Sequence, residues 1–102
     1  MYNNDIEVQF KGFKPSKEDC SELCTMTSNL QLEAPDQSFL DATFSKVEDS
    51  FKGIIHIHTS VGNFFATAQD RYLSNVRKKL TDGLHVQLER WKVKRFADNS
   101  KV

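Results

Sequence analysis

The chain reads as an α+β domain of order β-α-β-β-β-α, with two helices packed on one face of a four-stranded, mostly antiparallel sheet. Three observations predict this. Apolar and polar residues alternate in four short runs, near residues 6–10, 39–47, 51–60 and 64–69, the period of a half-buried strand. A cap signal follows Pro15 and opens a helical stretch. After Asp70, apolar residues recur every three or four positions for about five turns. Helices on one side of an antiparallel sheet leave the other side partly wet, which suits strands that alternate this cleanly.

The elements follow in order. Ile6, Val8 and Phe10 alternate with Glu7, Gln9 and Lys11, and Gly12 ends the strand. Ser16 with Asp19 three residues on is an acidic form of the capping box. The helix it opens would bury Cys20, Leu23, Cys24 and Thr27 and reach Leu30, and Ala34-Pro35-Asp36 breaks it. In 39–47, Leu40, Ala42 and Phe44 share one face. Glu48-Asp49-Ser50 is the expected turn, and 51–60 sets Ile55, Ile57 and Thr59 against Ile54, His56 and His58. Val61-Gly62-Asn63 is a hairpin signal, and Phe64, Ala66 and Ala68 share one side of the fourth strand. Asp70 can cap the last helix. Its stripe is Leu73, Val76, Leu80, Leu84, Leu88 and Trp91, about 120° of arc. Gly83 beside that stripe predicts a close approach to the sheet or the first helix. The helix should run to about Arg95, roughly 37 Å, and project past the sheet. We expect one domain over 1–97 and a frayed tail over 98–102.

Net charge is zero, but the signs are sorted. Residues 1–50 carry four Lys/Arg against ten Asp/Glu, and residues 51–102 carry ten against four, so the halves are −6 and +6. Asymmetry of this kind points to a polyanionic partner. On the last helix, Arg71, Lys78 and Lys92 flank one side of the stripe with His85. Lys79, Arg90 and Lys94 flank the other, and Arg77 and Arg95 lie at its border. Such a ridge can meet several phosphates, and it positions without reading sequence. Trp91 reads as a core anchor, and Trp91 and Phe96 are also able to stack on bases.

Other function classes find little support. No run approaches the ~20 apolar residues of a membrane span. The N-terminus has neither a basic nor an apolar signal region, so a cytoplasmic protein is expected. Cys20 and Cys24 are awkwardly spaced for a mutual disulfide. With His56 and His58 they match no closed zinc pattern, and we expect two buried thiols and two imidazoles on the sheet surface. There is no GxSxG, Walker loop or HExxH among only four glycines. The expectation is a non-enzyme with no cofactor, no metal and no small-molecule substrate.

Several of these residues resemble one family. Ile55-His56-Ile57-His58, the turn at Gly62-Asn63 and the run Ala66-Thr67-Ala68-Gln69-Asp70-Arg71-Tyr72 are similar to the third strand, fourth strand and last-helix entry of the ribosome hibernation factors. These are the hibernation-promoting factor and ribosome-associated inhibitor group, also labelled sigma-54 modulation proteins. Leu84, Gln87-Leu88 and the basic ending Arg90, Lys92, Lys94, Arg95 resemble that family's last helix. The resemblance spans nearly the whole chain in element order. It implies a translation inhibitor that binds the small ribosomal subunit under stress, with Lys78, Lys79, Arg90, Lys92, Lys94 and Arg95 on 16S rRNA phosphates. Where the family has a basic first helix, residues 16–24 carry one Lys and three acids.

Two alternatives remain open. The order from Ser16 onward is also that of a double-stranded-RNA-binding domain, and Arg77-Lys78-Lys79 is loosely similar to its lysine cluster. An acidic helix beside a basic one also suits a protein-interaction module, with weak self-association.

Overall fold

The computed structural model describes residues 5–35 and 37–99, with side chains through Lys94. Its elements are β1 (Ile6–Lys11), α1 (Lys17–Glu33), β2 (Phe39–Val47), β3 (Ser50–Thr59), β4 (Gly62–Asp70) and α2 (Leu73–Asn99). The strands form one sheet in the order β1-β2-β3-β4. β2, β3 and β4 pair antiparallel through tight turns, whereas β1 pairs with β2 in parallel. The parallel pairing follows from α1, since a helix between two neighbouring strands returns the chain to its starting end. The expected α+β architecture and element order are those observed.

One face of the sheet carries the core. Leu40, Ala42 and Phe44 of β2, Ile55 and Ile57 of β3 and Phe64 of β4 are buried there against Leu23, Met26 and Leu30 of α1 and Val76, Leu80, Leu84 and Leu88 of α2. The strand residues among them lie together on the faces that the alternation grouped. Burying a side chain of this size stabilises by about 1.5–3 kcal/mol.

The turns are shorter than the sequence suggests. Glu48-Asp49 and Ser60-Val61 close the two hairpins, so Ser50, Gly62 and Asn63 belong to strands. Glu48 takes the left-handed conformation, with φ 57°, which two-residue hairpin loops require. Thr59 holds the second turn by accepting from the Val61 N–H and donating to the Gly62 carbonyl.

α1 is capped as expected: the Asp19 N–H donates to Ser16 Oγ at 3.0 Å. Its buried stripe differs. Leu23, Met26, Thr27 and Leu30 are buried, while Cys20 is half-buried and Cys24 exposed. The larger apolar surface of Met26 outweighs that of a thiol, which rotates the stripe away from the cysteines. Thr27 donates its hydroxyl to the Leu23 and Cys24 carbonyls and so costs little in the core. The helix ends at Glu33, with Ala34 as C-cap; Asp36 of the expected break lies outside the described residues.

The close approach of helix to sheet is at Gly53 and not at Gly83. A Cβ on Gly53 would sit 2.7 Å from Leu80 Cδ1 and 2.8 Å from Val76 Cγ1. At Gly83 it would meet only Ala66 Cβ, at an ordinary 3.6 Å. α2 begins at Leu73 and continues to Asn99, four residues past the expected end. At 27 residues it is about 40 Å long. Trp91 packs edge-on against Phe64, which lies near the start of β4, so the turns after Trp91 extend beyond the sheet. Residues 100–102 of the expected tail lie outside the described residues.

Candidate nucleic-acid interface

Seven of the eight predicted basic positions are on α2, and Arg71 lies two residues before it. The side chain of Arg95 lies outside the described residues, as does that of Phe96. The fold divides the remaining seven into two kinds. Arg77 is paired with Glu22 of α1 at 3.3 Å, Lys79 with Asp70 at 3.0 Å and Lys92 with Glu89 at 3.9 Å. Arg71, Lys78, Arg90 and Lys94 are exposed and have no carboxylate partner among the described residues. A cation without an internal partner keeps its full charge for a ligand.

The pairing follows from the direction of the helices. Glu22 meets Arg77, and Glu33 meets His85 at 3.3 Å, so α1 and α2 run parallel. Glu22 and Glu33 therefore stand along the inner flank of α2. Part of the charge split read from the sequence is thus internal, since Arg77 of the basic half meets Glu22 of the acidic half.

Parallel helices also bring both N-termini to one end of the molecule. A depression of about 520 Å³ there is lined by Lys14, Lys46 and Arg71, with Ser16 and Asp19 of the α1 start and Ser74 of α2. Lys46 also lies over the Phe51 ring, 5.6 Å from its centre. Sequence reasoning missed Lys14 and Lys46 because they belong to the acidic half. Only the fold carries them to Arg71. Three cations thus stand beside two helix N-termini, with Asp19 among them.

Asp70 organises the entry to α2. Its carboxylate accepts from the Tyr72 N–H at 3.0 Å, from Lys79 Nζ at 3.0 Å and from Asn75 Nδ2 at 3.1 Å. These contacts, the Tyr72 N–H first, lower its pKa from 3.8 to about 2. Lys79 also donates to the Gln69 carbonyl. Further along, Gln87 accepts from the Phe65 N–H at 3.1 Å and donates to the Phe65 carbonyl. One amide side chain thus takes the place of a neighbouring strand along β4.

The opposite face of the sheet carries no helix. His56 and His58 stack there with centres 4.0 Å apart, and His58 Nε2 lies 3.0 Å from Asp41 Oδ2. Cys20 and Cys24 stand in the helical layer on the other side, so the fold separates the two pairs. The imidazoles are on the sheet surface as expected, but the thiols are not both buried. No helix among the described residues is long and apolar enough to cross a membrane.

The fold has relatives among solved structures. The N-terminal domain of Protein Y from Thermus thermophilus superposes with a TM-score of 0.72 at 12% identity, covering 85% of this chain and 98% of that one. A ribosomal subunit interface protein from Coxiella burnetii gives 0.69 at 18% identity, with coverages of 86% and 97%. These neighbours match the hibernation-promoting factor family that the sequence resembles, and at such identities the likeness is one of fold. No protein-family model and no curated protein matches the chain.

Proposed function

We propose that this domain is a ribosome-associated hibernation factor that binds the small subunit and inhibits translation, contacting 16S rRNA phosphates through α2. The observation that carries this reading is the set of exposed cations Arg71, Lys78, Arg90 and Lys94, without a carboxylate partner among the described residues, on a fold shared with a ribosomal subunit interface protein. Lys14 and Lys46 extend the set at the end where both helices begin. Arg77, Lys79 and Lys92 belong to the fold's internal pairing and contribute less. The role is stoichiometric binding in the cytoplasm, with no cofactor and no chemical step.

Two features support a binding module. Phosphate contacts require charge at spaced positions and little shape, and a helix of about 40 Å supplies the spacing. Each neutralised phosphate releases counterion, so affinity falls steeply with salt. Glu22 and Glu33 of α1 face α2, and Lys78, Arg90 and Lys94 stand exposed on it.

Co-sedimentation with small subunits tests the reading. The protein should pellet with them at low salt and be released near roughly half-molar salt. Changing Arg71, Lys78, Arg90 and Lys94 together to Glu should abolish pelleting, while Arg77→Gln should largely retain it. Pelleting by the quadruple variant at wild-type levels would show that α2 is not the contact surface. Retention on duplex RNA at the same salt, with none on ribosomes, would identify a ribosome-independent RNA binder.

A further inference from the structure

The two edges of the sheet are treated differently. On β4, Gln87 occupies the Phe65 amide and carbonyl and Lys79 occupies the Gln69 carbonyl. On β1, no described element covers the outer edge. The Asp5 carbonyl accepts from the Leu40 N–H at 2.8 Å. In a parallel ladder that phase alternates, so Glu7, Gln9 and Lys11 turn their backbone groups to β2. Ile6, Val8 and Phe10 then turn theirs outward. Their side chains point into the core face but stay half-buried, whereas Leu40, Ala42 and Phe44 beside them on β2 are at most 1% exposed.

α1 overhangs the same edge with a flank that carries no acid. Glu22 and Glu33 face α2. The other flank, marked by the Gln31 contact to the Asp5 carbonyl, carries Lys17, Cys20, Cys24, Ser28 and Gln31. An unpaired strand edge, half-covered apolar side chains and a helix flank without acids thus lie together.

We propose that this edge pairs with β1 of a second copy, antiparallel and with Val8 opposite Val8, forming a continuous eight-stranded sheet. In this register Ile6 pairs with Phe10 of the second copy, and the outward backbone groups of residues 6, 8 and 10 are all satisfied. On the wet face Glu7 lies opposite Gln9, and Lys11 lies opposite Asp5, so no like charges meet. The wet-face order Asp5, Glu7, Gln9, Lys11, acidic at one end and basic at the other, is self-complementary about a two-fold axis.

The helical layer closes at the same time. α1 packs over both β1 and β2, so two strand spacings separate the two α1 axes, about 10 Å, a normal helix-packing distance. Val8 lies three residues along β1 from Asp5, about 10 Å, or about seven helical residues back from Gln31. That level is Cys24, which is exposed and would stand beside the axis.

Sedimentation equilibrium of the full chain, from roughly 10 µM to roughly 1 mM, tests the proposal alongside Gln9→Lys and Gln9→Glu. Gln9 is exposed, so neither change should disturb the fold. The wild type should rise above 11.7 kDa with concentration. Gln9→Lys, facing Glu7 twice, should dimerise up to about tenfold more tightly and Gln9→Glu correspondingly less. A short bismaleimide should link Cys24 to Cys24 in Cys20→Ser, and not when Gln9→Glu is added at the same concentration. A chain that stays monomeric even as Gln9→Lys, or variants that dimerise alike or in the opposite order, would overturn the proposal. Because no ribosome enters the experiment, its outcome is separate from that of the function proposed above.

Discussion

Gly53 and Gly83 look alike in sequence, and the structure gives them opposite roles. A Cβ on Gly53 meets Val76 and Leu80 below 3 Å, so Gly53→Ala must push α2 off the sheet. It should cost about 1–3 kcal/mol in urea unfolding. Gly83 has room for a methyl group over Ala66, and Ala is the better helix former. Gly83→Ala should raise stability by up to about 1 kcal/mol in the same assay. Asp70 is legible in another way. Its pKa is lowered, so its contribution is present above the unfolded value of 3.8 and is lost as pH falls from there through about 2. An NMR titration should place its midpoint near 2, and Asp70→Asn should remove stability at neutral pH but little at pH 2.

At the level of elements, what was legible had a local period. The stripe Val76-Leu80-Leu84-Leu88 and the three hairpin-linked strands β2, β3 and β4 follow from spacing alone, because period selects the buried face. What was not legible depends on a neighbour far away in the chain. Cys24 and Met26 compete for one face of α1, and the packing of α2 and the sheet decides between them. Arg77 and Lys78 are adjacent and equally basic, yet only Arg77 reaches Glu22. Lys14, Lys46 and Arg71 converge because both helices begin at one end. Gln87 was read only as part of a motif, and its physical role is to occupy the edge of β4. Gln87→Ala should expose the Phe65 amide, accelerating its hydrogen exchange and costing about 1 kcal/mol. Unchanged exchange would show that α2 backbone packing alone protects that edge.

For the whole molecule, the zero net charge describes a dipolar body, not a neutral one. Glu22 and Glu33 of α1 stand against Arg77 and His85 on the inner flank of α2, while Lys78, Arg90 and Lys94 are exposed on the helix. The parallel β1–β2 pairing carries one more consequence, for the order in which the chain folds. The two hairpins close over two-residue turns, so β2, β3, β4 and α2 can assemble through contacts between chain neighbours. Ile6 must wait for Leu40, 34 positions away, and gains its bonds only after that loop is closed. Native-state hydrogen exchange should therefore find β1 and α1 opening together, at lower free energy than β3 and the middle of α2. The strand made first would be the last to dock.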